Sequence, residues 1–193
     1  MIRFFKILSY RLEPEAGDVF EYLSGLLSQR IDPLSAEQGG LKLSEPVVLH
    51  STLCRAAGCI SRNKSIEYIG LVDLNEIAFD LEKLCGKSAW TKEKSVAVRR
   101  QFKEGFVQDR LLLSRREIFD GVRRVLLHCQ NKSGIGSIAV VSHSFRLAII
   151  EAYIMTRGLI ETEPSLIHNY ISDNRKRYEF GGGFEIEVLS LPL

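Results

Sequence analysis

Two histidines in this chain stand where chemistry is readily done. His143 follows the continuous β-branched run Ile138-Ala139-Val140-Val141 and precedes a stretch, Phe145 to Met155, whose apolar residues fall nearly all round a helical wheel. The run reads as a strand buried on both faces of a parallel sheet, so His143 sits where a strand hands over to a helix. Strand ends splay at such a junction and the helix N-terminus offers N–H groups to anions, which is where open α/β sheets take their ligands. His50 repeats the pattern. It closes the short run Pro46-Val47-Val48-Leu49, and Ser51 or Thr52 then caps a helix, TLCRAAGCI, whose first turn carries Arg55. A guanidinium there opposes the helix dipole, and a partner anion would help explain it. His128 and His168 carry no comparable context.

The elements that must position these residues follow from periodicity. Ile2 to Leu8 reads as a strand, with Lys6 an awkward residue for a fully buried one. Asp18 caps a helix running to about Arg30 on Val19, Phe20, Leu23, Leu26 and Leu27, and Asp32-Pro33 ends it. Residues 66 to 74, IEYIGLVDL, form another strand. From Val96 to Arg124 the chain carries eight Arg or Lys against four acids, read as a solvated helical face. Within Glu117 to Cys129 the stripe Ile118, Val122 and Leu126 predicts a helix, and Asn131-Lys132-Ser133-Gly134 a turn into the strand before His143. After Gly158, which ends the next helix, the glycine run Gly181-Gly182-Gly183 leads into FEIEVLSL, an alternating strand at a sheet edge. The order predicts an α/β three-layer sandwich with a mostly parallel central sheet: one domain over 1–193, with an inserted, largely helical region at about 78–128.

Composition narrows the partners. With 26 basic against 24 acidic residues the formal charge is +2, which argues against binding that rests on a large positive excess, as on bare nucleic acid or an anionic membrane. A ligand must be met locally. Cys54, Cys59, Cys85 and Cys129 form no CxxC pair and no metal-type cluster, so free thiols in a reducing cytoplasm are expected, with no metal and no cofactor. The N-terminal apolar stretch is too short, and too interrupted by Lys6 and Arg11, for a signal peptide or membrane span. The expected location is cytoplasmic.

LHSTLCRAAGCI, then LVDLNEIAFD, then EIFDGVRRVLL, then IAVVSHSFRLAIIEAYIMTRG resembles, in order and spacing over roughly 47 to 158, the phosphoglycerate-mutase-like branch of the histidine phosphatase superfamily. The second-histidine motif is its most specific part. The resemblance implies that Arg55 binds the transferring phosphoryl group by bidentate hydrogen bonds, and that His143 donates to the phosphoryl oxygens and stabilises transition-state charge. It implies that Glu76 is the carboxylate protonating the leaving group. Ser144, where the family has glycine after its second histidine, joins the phosphate-binding set with Arg11.

The first motif departs. In the family the first strand ends in an Arg-His-Gly triplet whose histidine is phosphorylated, whereas here the strand runs into Ser9-Tyr10-Arg11-Leu12 and no histidine precedes His50. A tyrosine hydroxyl, with its ordinary pKa of about 10, or a leucine cannot replace an unprotonated imidazole in line with the leaving oxygen. The expectation is a degenerate domain that binds a phosphorylated or anionic small molecule without phosphohistidine chemistry. One alternative is an active phosphomonoesterase or lyase-like enzyme using His143 or His50, with Tyr10 as a further substitute. The other is a non-catalytic scaffold whose basic segment, Arg99 to Arg124, meets a protein partner; a homodimer is also left open.

Overall fold

Strand formation follows the two runs of buried β-branched residues. β2 (Val47–Ser51) and β4 (Ile138–Ser142) are buried at every position and lie side by side in the middle of a five-stranded sheet. β3 (Glu67–Leu71) flanks β2, β1 (Ile2–Lys6) flanks β4, and β5 (Gly183–Ile186) pairs with β1, giving the order β3-β2-β4-β1-β5. The first four strands are mutually parallel and β5 is antiparallel to β1. The protein is thus an α/β fold with a mostly parallel sheet. This computed structural model describes residues 1–6, 40–80, 82, 92–172 and 181–187.

Alternation along the strands divides the core. Ile2, Phe4, Val47, Leu49, Ile138 and Val140 face one side, where they meet α2 (Lys92–Val107), α3 (Arg115–Lys132) and α4 (Ser144–Met155). Val48, Ala139 and Val141 face the other, against Leu43, Cys59, Ile60 and Ala56 of the short helix α1 (Cys54–Ala57). Helix α4 is buried almost all round, as its continuous apolar composition predicts. It stops before Gly158, whose φ of 82° supplies the left-handed turn past the helix end. The expected stripe of α3 is fully buried at Ile118, Val122 and Leu126, and Cys129 extends it.

Several boundaries move. The helix after His50 is only four residues long, and Leu53, not Ser51 or Thr52, is its N-cap, with no side-chain cap bond. The strand expected over 66–74 stops at Leu71, and Val72–Leu74 form a 3₁₀ turn instead. The turn expected at Asn131-Lys132 is the last turn of α3, and a 3₁₀ turn over Ser133–Ile135 follows it. The basic region is two helices, α2 and α3, separated by a break that includes Asp109 in the left-handed region at φ 54°. Its start is fixed chemically: Ser114 Oγ accepts from the Glu117 N–H while the Glu117 carboxylate accepts from the Ser114 N–H, closing a capping box. Neither helix stands apart from the domain, since Phe102 and Phe106 of α2 and Ile118 of α3 are fully buried in the main core. Residues 7 and 8 of the expected first strand, the helix expected over Asp18 to Arg30 and the end of the last strand lie outside the described residues.

Candidate functional site

Parallel pairing brings the C-terminal ends of β1, β4, β2 and β3 into one row. Lys6 pairs with Ser142, and Ser51 pairs with Leu71 on its other side. Lys6, Ser142 and Ser51 share the parity of Phe4, Val140 and Leu49, so they point to the face covered by α2, α3 and α4. All three are buried, Lys6 at 3% exposure. His50 has the opposite parity and points with Val48 to the other face, where its Nδ1 lies 2.8 Å from the Ser51 carbonyl.

His143 directly follows β4 and serves as the N-cap residue of α4 in extended conformation. Its ring is fully buried, and Nε2 lies 3.0 Å from Ser51 Oγ. The surrounding bonds fix the direction of that contact. The Thr52 backbone N–H can only donate, so the Asn75 atom it meets at 2.9 Å is the amide oxygen. Ser51 Oγ donates its single proton to that oxygen at 2.8 Å and accepts from the Leu53 N–H at 3.2 Å. The Ser51 hydroxyl has nothing left to give His143, so His143 Nε2 carries the proton and donates to Ser51. This is the reverse of a serine nucleophile activated by a histidine base. The arrangement orients the imidazole across the boundary between β4 and β2.

Glu76 is buried at 5% exposure, next to Asn75 on the segment that follows the 3₁₀ turn. Its Oε1 accepts from the N–H groups of Ile77 at 3.1 Å and Arg146 at 3.0 Å, and its Oε2 from that of Phe145 at 3.3 Å. Two donors of the α4 N-terminus are therefore satisfied by an internal carboxyl group. The Ser142 hydroxyl donates to the Leu74 carbonyl at 2.6 Å and ties the same segment to the end of β4.

Among the expected site residues, the structure thus brings together His143, Glu76 and Ser144, the last as the first helical residue of α4 and partly exposed. Arg55 lies on α1, which follows β2 into the same end of the sheet; its side chain, and Tyr10 and Arg11 entirely, lie outside the described residues. Four further residues escaped the sequence reading of the site: Lys6, Ser51, Asn75 and Arg146. Two had a visible signal. Lys6 is a cation in an apolar strand, and Arg146 a lone cation in the apolar first turns of α4. Helix α2 also reaches this end, because Phe102 stacks on Phe145 with ring centroids 4.0 Å apart and Phe79 packs edge-on against both.

The basic residues of α3 are largely engaged by acids. Arg124 grips Asp73 through Nε and Nη2 at 2.9 and 2.7 Å, Arg123 bonds Asp120 and Glu161, and Arg115 faces Asp109. Among the described residues no group of three or more His, Cys, Asp or Glu is arranged to hold a metal ion, and no helix is long and apolar enough to cross a membrane. Comparison with protein-family models, with curated proteins and with solved structures finds no match.

Proposed function

We propose that this chain is a phosphoglycerate-mutase-like, three-layer member of the histidine phosphatase class that binds a phosphorylated or otherwise anionic small molecule at the C-terminal end of its parallel sheet and has lost phosphohistidine turnover. The observation that carries the reading is the β1–β4 pairing. The resemblance calls for a first strand that ends beside the second histidine; here β1 lies against β4 with Lys6 opposite Ser142, the residue before His143. What β1 brings there is a buried lysine, and no histidine precedes His50 in the sequence. An ammonium can hold a phosphate as a point charge, but it is not the neutral imidazole that phosphohistidine chemistry requires.

The binding set in this reading is Lys6, Arg55, His143 and Ser144, with Arg11 as a further cation. Because His143 Nε2 is committed to Ser51, contact with an oxyanion runs through Nδ1, which donates only when the ring is protonated. Glu76 acts as an acceptor at the start of α4, so the leaving-group acid assigned to it by resemblance has less support than a structural acceptor for the helix N-terminus. His50 as a relocated catalyst has less support too, since it faces the other side of the sheet from Lys6, Ser51 and Ser142.

Thermal melting with sulfate or vanadate, paired with a turnover assay on a simple phosphomonoester, tests this. Expected are a rise in melting temperature that Arg55→Ala abolishes, as for a ligand that binds the folded state only, and no acid-labile phosphohistidine on the protein. Robust turnover by wild type, lost in His143→Ala or His50→Ala and retained in Tyr10→Phe, would replace the reading with that of an active enzyme using a relocated histidine.

A further inference from the structure

Arg146 is a buried arginine, 3% exposed, in the first turn of α4. It is held mainly by carbonyls. Nε donates to the Asn75 carbonyl at 3.0 Å, Nη1 reaches the Ile118 carbonyl on α3 at 3.5 Å, and its backbone N–H meets Glu76 Oε1. Burial lowers the guanidinium to about 10, with Glu76 and Asp73 pulling the other way, so it remains a cation at neutral pH. Gly121 of α3 provides the floor of this contact. A Cβ there would stand 3.0 Å from Asp73 Oδ1, close enough that the carboxylate would have to shift by a few tenths of an ångström, and 3.6 Å from Arg146 Nη1, an ordinary contact. Asp73 is gripped from the other side by Arg124.

These contacts converge on one short segment. Asp73 is fixed to α3, the Asn75 carbonyl to Arg146, and the Glu76 carboxylate to the start of α4, while the Asn75 side chain receives the Ser51 proton that forces His143 to donate through Nε2. We propose that Arg146, seated on Gly121 of α3, is the positioning residue of the strand-end site: it fixes Asn75 as the acceptor for Ser51 and thereby sets the tautomer and orientation of His143. Helix α3, through its contacts with Arg146 and Asp73, then determines whether the imidazole is presented with Nδ1 toward the ligand. The inference rests on the reading that the strand end is the ligand site, but its first readout needs no ligand.

The test is the ring nitrogen NMR signature of His143 at a pH where the imidazole is neutral, in wild type, Gly121→Ala, Arg146→Lys and Arg146→Met, together with sulfate affinity. Wild type is expected to show the Nε2–H tautomer. Alanine favours a helix interior over glycine by about 1 kcal/mol, so Gly121→Ala should preserve α3 while displacing the Asp73 carboxylate that lies beside Arg146. In that variant and in Arg146→Met the Ser51 hydroxyl loses its fixed acceptor, the tautomer moves toward Nδ1–H, and sulfate binding weakens on the order of tenfold or more, as misplacement of a binding group does. Arg146→Lys keeps the charge but not the fork, and should fall between. If Arg146→Met does not fold, Gly121→Ala decides alone. Retention of the wild-type tautomer in every folded variant, whatever the change in melting temperature, overturns the proposal. A shifted tautomer in a protein whose wild type never binds sulfate leaves the positioning intact and removes the proposed function instead.

Discussion

His143 Nε2 meets Ser51 Oγ at 3.0 Å across the boundary between β4 and β2, and the serine hydroxyl is the acceptor in that bond. Ser51→Ala removes an acceptor that serves both the imidazole and the Leu53 N–H. The expected cost, from buried donors left unsatisfied, is about 1–3 kcal/mol in chemical denaturation, with a changed His143 ring signal. A variant as stable as wild type with an unmoved signal would show that the hydroxyl does not hold the ring.

Anion binding should respond to pH in a definite direction. If Nδ1 of His143 contacts the ligand while Nε2 is bonded to Ser51, the bound state needs the imidazolium, so binding takes up a proton and strengthens as pH falls. Sulfate does not titrate in this range. Its affinity should therefore rise as pH falls, and this dependence should vanish in His143→Gln.

Cys129 gives a stability prediction with a worked sign. Burial pushes its thiol from the ordinary 9.0 up to about 12, so the folded protein keeps a proton that the unfolded chain releases. The stabilisation is complete below the ordinary thiol value and is lost as pH rises through the folded one. Between about pH 8 and pH 10.5 the urea midpoint of wild type should therefore fall further than that of Cys129→Ala. In the native state iodoacetamide should modify exposed Cys54 long before buried Cys129 or Cys59, as mass mapping would show.

The capping box at the start of α3 is a separable local contribution. Ser114→Ala should destabilise the protein by about 1 kcal/mol near neutral pH. Hydrogen bonds from the Ser114 side chain and backbone hold the Glu117 carboxyl below its ordinary value, so this stabilisation is present above that value and fades as pH falls. An equal gap between wild type and Ser114→Ala at neutral and strongly acidic pH would show that the carboxylate is not part of the cap.

Much of the scaffold could be read from the chain because its signals are local. The run before His143 is β-branched and unbroken, so it had to be a buried strand, and the apolar circumference of α4 had to be a buried helix. The site was legible only in part. His143 and Glu76 stand where a strand end and its neighbouring segment bring them together, but the bond from His143 to Ser51 and that from Arg146 to Asn75 join residues far apart in sequence. No periodicity encodes such pairs; they follow from which strand lies beside which. The helix at Arg55 is shorter than its sequence suggests, and neither expected cap serves it, because Ser51 and Thr52 both give their hydroxyl protons to Asn75.

The strand order also bears on how the chain comes to be folded as it is made. β4 separates β1 from β2, so β1 has neither of its sheet neighbours until Ile138–Ser142 emerge from the ribosome, and its other partner, Gly183–Ile186, comes later still. During that interval the hydrophobic edge formed by Ile2 and Phe4 must wait unpaired, a situation that favours slow, late closure and exposes the nascent chain to misassembly. Lys6 can therefore take its place opposite Ser142, beside His143, only when the sheet closes around β4.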